Sequence, residues 1–471
     1  MTLMKKLLFL SLFVSFGLHA QDKSGHHVIL LNGGHDIESN FPRYYENIKS
    51  MYEAFRENEI ESKNISVFYG SGKVEDTYVP RPPTFEEFKL PELKIPEYPL
   101  TQKKPSLFGL GFSANDTDSN ESEEKKDYKF SLTDLFNGEE KTISGEAKQE
   151  RLKEKLAEFQ KNLKPGDNIS LFITDHGDID EEKDESMVNL WGEKMSTSEL
   201  KGLLQQVPDN INIRVITNIC YGGGLNELTS KNICVYANQE KDSPSYSKSD
   251  DLDLYAQNFA FALKNKVDFD KDGKATYLDA HEYAISLEDK RNHSVTSLDW
   301  FLLNTRGRIL SLKGEQEFQG ESCIAPEDES LKNLSYLIED FSALKKSMLI
   351  NEEIPASRQH LFTPRLQRKL SLLKKHDSFV TNESIEIKLE VLRKELEKSA
   401  LNWDKLSPNE QELQRKKANL EAQQLQSQVN DLESLKYGHR NANFEMDLIR
   451  YGDQKLIEEY ESIIRCLEYA Y

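Results

Sequence analysis

Cysteine is scarce: the 471-residue chain has four, Cys220, Cys234, Cys323 and Cys466. So few cannot staple a chain of this length, and the fold must rest on a core, which this length can build across two or three domains. Basic residues are also under-represented, with 61 Lys and Arg against 81 Asp and Glu and a net charge of −20. That balance excludes nucleic acid and anionic membranes as expected partners. Beyond the first twenty residues no run is apolar enough to span a bilayer, so no stable membrane insertion is expected.

The exception to that last absence lies at the start. Lys5 and Lys6 precede the apolar run from Leu7 to Leu18, and His19-Ala20-Gln21 offers a small residue for cleavage. This predicts a signal peptide over 1–20 and a secreted or periplasmic protein. Export permits disulfides. Cys323 and Cys466 flank the C-terminal region and form the expected bridge, whereas Cys234 reads as a small hydrophobe inside a buried strand.

Strand and helix signals alternate in the first half of the chain. Strands are expected at His27–Asn32 and Ile65–Tyr69, with a helical stripe of Ile48, Met51, Tyr52 and Phe55 between them. Six prolines from Pro80 to Pro99 and the polar run 115–127 break this rhythm, so 75–142 reads as a long, flexible insertion. Helix, strand and helix return over 145–206, with Ser196-Thr197-Ser198-Glu199 as a capping signal and an acidic loop over 178–187. From 326 the strand signals vanish, and helical runs at 327–350, 357–376, 383–402, 408–437 and 443–469 predict an all-α C-terminal domain over 326–471. The expected fold class is α/β, a mostly parallel sheet flanked by helices in a domain over 21–310.

Two segments carry the chemistry. Ile169-Ser170-Leu171-Phe172-Ile173-Thr174-Asp175-His176-Gly177 and Ile211–Cys220 each read as a buried strand ending at a reactive side chain. Neighbouring parallel strands would bring His176 and Cys220 to one carboxyl edge, where open α/β sheets place their ligands. A thiol beside an imidazole is a nucleophile with its base. The backbone N–H groups of Gly177 and Cys220 could donate to an oxyanion, and Gly222-Gly223-Gly224 would let backbone approach a substrate. A buried cysteine and an unrelated histidine remain the alternative from spacing alone. His26 and His27, at a strand start, read as exposed.

Apolar strand–Thr-Asp-His-Gly followed by apolar strand–Cys resembles the caspase/legumain superfamily of cysteine peptidases, and the legumain type in particular. The segment Val235–Glu240, continuing to Ser243-Pro244-Ser245-Tyr246, is similar to the legumain strand and loop that wall the S1 pocket. The resemblance covers about residues 26–265 outside the insertion. It implies a caspase-like fold, Cys220 as nucleophile, His176 as general base and acid, and Gly177 in the oxyanion site. It further implies Asn40 as the residue orienting the histidine, and Arg43, Tyr221, Ser243 and Ser245 at the substrate. Asn40 and Arg43 stand one residue further apart than the family pattern, and Tyr221 with its glycines replaces an acidic residue after the cysteine, so P1 specificity stays open. The resemblance also implies peptide or protein substrates, transpeptidation as a variant outcome, and a helical C-terminal region that inhibits the enzyme; a partner-binding bundle is the other reading of that region.

Asp268-Phe269-Asp270-Lys271-Asp272-Gly273 has EF-hand spacing, with acidic residues at loop positions 1, 3 and 5 and glycine at 6. Lys274 would lend its backbone carbonyl at position 7, Thr276 stands at 9 and Asp279 at 12, which predicts a weak Ca2+ site. The chemistry itself requires no cofactor. Two other readings remain: a non-catalytic caspase-like scaffold, and a calcium-binding structural protein of the cell envelope.

Overall fold

The computed structural model describes residues 25–73, 143–247, 253–288, 292–313, 354–376, 438 and 440–471. The expected signal peptide, the whole insertion at 75–142, Cys323 and the helical runs at 327–350, 383–402 and 408–437 lie outside the described residues.

The sheet contains β1 (His26–Asn32), β2 (Ile65–Tyr69), β3 (Ile143–Gly145), β4 (Asn168–Thr174), β8 (Asn212–Asn218), β9 (Ile233–Ala237) and β10 (Val295–Thr296). Their spatial order is β10-β9-β8-β4-β1-β2-β3, and every pairing is parallel except β10 with β9. Parallel strands need crossovers, which bring helices onto both faces and bury both sides of each strand. β1 shows the consequence. Val28 and Leu30 enter one apolar layer, while Ile29 and Leu31 enter the other.

The first layer is roofed by α1 (Pro42–Glu57), α4 (Leu254–Asn265), α5 (Tyr277–Leu287) and α6 (Ser297–Lys313). Pro42 opens α1, where its fixed φ suits the first turn and no N–H is missed. Ile48, Met51, Tyr52 and Phe55 then form its buried stripe. α2 (Gln149–Asn162) and α3 (Thr197–Leu204) cover the opposite face. The Ser196–Glu199 capping box forms as the sequence implies.

The acidic segment after His176 departs from the expected loop. It folds as a small antiparallel sheet of β5 (Gly177–Asp180), β6 (Glu185–Leu190) and β7 (Glu193–Ser196). Val188, Leu190 and Met195 are buried, so its inner face is apolar although its strands are short and charged outside.

The C-terminal helices also correct an expectation. The region 326–471 reads as a domain of its own, yet α7 (Pro364–His376), α8 (440–451) and α9 (Gln454–Leu467) share the core of the first layer. Leu366, Leu448, Ile449, Leu456 and Tyr460 are buried in it. A buried ion pair between Arg365 and Glu445 ties α7 to α8, and Tyr460 Oη donates to the same carboxylate at 2.8 Å. Cys466 on α9 is bonded to Cys234 on β9 rather than to Cys323, with Cα atoms 6.0 Å apart. Cys234 is therefore a structural bridge and not an inert hydrophobe. Among the described residues no helix is long and apolar enough to cross a membrane.

Candidate active site

Thr174 on β4 lies level with Asn218 on β8. The two segments Asp175-His176 and Ile219-Cys220 therefore leave the sheet side by side at its carboxyl edge. Gly177 explains the spacing between them: a Cβ there would stand 2.0 Å from the Cys220 carbonyl oxygen. Only glycine allows the strand after the histidine to lie this close to the cysteine.

His176 is held by the loop between β1 and α1. Its Nε2 lies 3.0 Å from the Ser39 carbonyl. A carbonyl can only accept, so in the neutral ring Nε2 carries the proton and Nδ1 keeps the lone pair. Phe41 and Tyr44 meet the imidazole edge-on, with centroids 5.2 and 5.3 Å away. The orienting group is thus a backbone carbonyl, not the Asn40 side chain that the family resemblance implies. Asn40 is fully buried and packs beneath Gly34, where an added Cβ would stand 2.4 Å from its Cβ.

Asp175 fastens that loop to the histidine strand. Its carboxylate accepts the N–H groups of Gly33, Gly34 at 2.8 Å and His176 at 2.7 Å. Burial pushes this carboxyl up to about 8, against the pull of those three donors and of Arg43. Beneath it, Asp253 accepts from Asn218 and Asn47, and Asn47 also donates to Thr174 Oγ1 at 2.9 Å. The amide nitrogens and the carboxylate thus pair under the site, while Asn218 Oδ1 is buried without a partner among the described residues.

Cys220 is half-buried and is the free cysteine of the described residues. Its Sγ receives the Ser245 N–H at 3.3 Å. Burial raises the thiol pKa, while the Ser245 N–H, the Arg43 charge and the Gly177 N–H pull it back. Burial lowers the His176 pKa, and Arg43 lowers it further. Among the described residues no hydrogen bond joins Sγ to the imidazole. The resting pair is therefore a neutral thiol and a neutral imidazole, which suits general-base activation rather than a standing thiolate–imidazolium pair.

The expected substrate residues gather around this centre. Arg43 follows Pro42 in the first turn of α1, with its guanidinium 4.5 Å from the Phe41 ring centre and 4.7 Å from that of Tyr44, and it donates to Tyr44 Oη at 3.0 Å. Tyr221 adopts the left-handed conformation (φ 58°), its N–H donates to the Ser243 carbonyl at 3.0 Å, and its own carbonyl accepts from Ser186 Oγ at 2.7 Å. Ser243 and Ser245 thus belong to a loop folded over the cysteine. The three glycines after Tyr221 serve packing instead of substrate approach. Added Cβ atoms would stand 2.6 Å from Glu240 backbone at Gly223 and 2.0 Å from Ser186 Oγ at Gly224. His26 corrects another expectation: it is buried, with Nε2 2.9 Å from Ser170 Oγ.

In the acidic loop, carboxylate oxygens of Asp268, Asp270 and Asp279 lie within 4.8 Å of one another. Burial and the neighbouring carboxylates push Asp270 up to about 6. Hard oxygen donors gathered this way suit a hard cation. Asp272 stands outside the group and accepts the Lys274 N–H at 2.8 Å. Asp279 accepts the N–H groups of Phe269 and Asp270 on one oxygen, and Thr276 N–H and Oγ1 on the other. Thr276 and Asp279 form the capping box of α5, so both have structural partners already.

No protein-family model matches the chain, and no curated protein matches it either.

Proposed function

We propose that the protein is a cysteine-type endopeptidase with a caspase/legumain-like α/β domain. The observation that carries this reading is the level exit of His176 and Cys220 from adjacent parallel strands, with the imidazole already committed to one tautomer. The Cys220 sulfur attacks a peptide carbonyl as His176 Nδ1 takes the thiol proton. The S–C bond forms, the oxyanion is held by the Gly177 and Cys220 N–H groups, and the C–N bond breaks as His176 returns the proton to the leaving amine. Water, activated by His176, then splits the thioester; a second amine in place of water gives transpeptidation. Arg43, Tyr221, Ser243 and Ser245 border the substrate, and no cofactor enters the chemistry.

The reading extends to a secreted or periplasmic protein and to Ca2+ in the acidic loop. Asp268 and Asp270 would supply carboxylate oxygens and Lys274 its carbonyl, while the bonds Asp279 already makes favour a weak site. The cation would stiffen the connection between α4 and α5 and take no part in bond cleavage. Cleavage of fluorescein-labelled casein, with and without calcium, tests the enzyme. It should be lost in Cys220→Ala at unchanged thermal stability; undiminished turnover in that variant would falsify the assignment.

A second reading has its own observation. The Ser245 N–H sits on the sulfur and its carbonyl lies 3.8 Å away. A loop closed in this way suits a non-catalytic scaffold, in which the thiol stays unreactive toward peptide electrophiles.

A further inference from the structure

Cys220 stands past the last paired residue of its strand, Asn218, so the ladder of the sheet does not aim it. The residue before it, Ile219, donates its N–H not to a neighbouring carbonyl but to Asn238 Oδ1 at 3.1 Å. The Nδ2 of the same side chain donates to Ser245 Oγ at 2.6 Å. Ser245 in turn places its own N–H on the Cys220 sulfur. Asn238 is fully buried at the end of β9, and its backbone is fixed on both sides: its N–H donates to Thr217 and its carbonyl accepts from Ser294 Oγ at 3.0 Å. Gly222 fits the same purpose, since a Cβ there would stand 3.3 Å from Asn238 Oδ1.

We infer that Asn238 is the positioning residue of the nucleophile: one carboxamide holds the backbone that leads into Cys220 with its oxygen and the loop that covers the sulfur with its nitrogen. This rests on the reading of Cys220 as a nucleophile. The oxygen also satisfies the N–H of buried Ile219, a need that any acceptor would meet. The bond from the nitrogen of the same group to Ser245 Oγ is what joins that backbone to the loop across the thiol.

The test is alkylation of Cys220 by iodoacetamide in the full chain from pH 5 to 10, located by peptide mapping, for the parent, Asn238→Ala and Ser245→Ala. In Asn238→Ala the Ser245 N–H drifts from the sulfur, so the alkylation midpoint should rise by about 0.5 or more on the pH axis. Turnover of labelled casein should fall about tenfold or more in kcat with KM within about twofold. Ser245→Ala frees only the covering loop and should move the midpoint in the same direction by less; it also carries the test if Asn238→Ala does not fold. A midpoint and kcat unchanged in the variants, beside a reactive parent, overturn the role of Asn238 alone. A parent whose Cys220 reacts no faster than in the denatured chain, and which cleaves no casein, overturns the nucleophile and Asn238 together.

Discussion

His176 and Ser39 are joined by a 3.0 Å hydrogen bond from the ring Nε2 to a backbone carbonyl 137 residues earlier in the chain. The bond fixes which imidazole nitrogen can take a proton. It also makes the loop between β1 and α1 part of the candidate site, because Asp175 draws Gly33 and Gly34 onto the histidine strand.

Burial sets most of the pH response of His176 and Cys220, and Arg43 modulates it. The Arg43 charge disfavours the imidazolium of His176 and favours the thiolate of Cys220. The base must be neutral, and its pKa lies below the ordinary value. Activity should therefore fall away on the acid side through a midpoint below about 6.5. Arg43→Ala removes the positive charge, so both groups should titrate higher. The acid limb of kcat/KM and the alkylation midpoint of Cys220 should both move up. A variant in which the two move in opposite directions contradicts this electrostatic account.

The Cys234–Cys466 bridge spans 232 positions and holds α9 against β9. In the chain-entropy model such a closure stabilises by at most about 5 kcal/mol. Cys466→Ser should lower the thermal midpoint while leaving the Cys220 thiol free. Non-reducing digestion should yield one linked peptide pair containing residues 234 and 466. A pair linking 323 to 466 instead is the result that contradicts this.

The acidic loop should respond to calcium through stability. About 10 mM calcium, suited to a weak extracellular-type site, should raise the thermal midpoint by about 2–4 °C. Asp270→Asn should abolish that rise with little change in the calcium-free midpoint. Asp272→Asn, which alters a residue outside the carboxylate group, should retain most of it. Equal rises in the parent and Asp270→Asn would place the cation elsewhere.

The sequence was most legible where one residue type serves one physical purpose. The apolar runs around Ile29, Val67, Phe172, Val215 and Val235 became parallel strands because both faces of such a sheet are buried. His176 and Cys220 were visible because each ends such a run, and the spacing that levels Thr174 with Asn218 follows from the pairing of two strands of equal length. The strands around Asp178 and Lys194 were hidden by their charge, since a short surface strand needs only residues such as Val188 and Met195 on its inner side. Ser39 was invisible for a different reason: its contribution is a carbonyl, which every residue has. Asn238 lay inside a recognised segment, but nothing in its neighbours shows that it bridges Ile219 and Ser245. The partner of Cys466 was set by which strand α9 packs on, and sequence spacing does not encode that choice.

Cys220 as a nucleophile served by His176 is tested most directly by labelling the native, full-length protein with a pool of peptidyl chloromethyl ketones, with and without calcium, followed by peptide mapping. A single adduct should form on Cys220, absent in Cys220→Ala and formed at least about tenfold more slowly in His176→Ala. No adduct under either condition, or one formed equally fast in His176→Ala, would contradict that role.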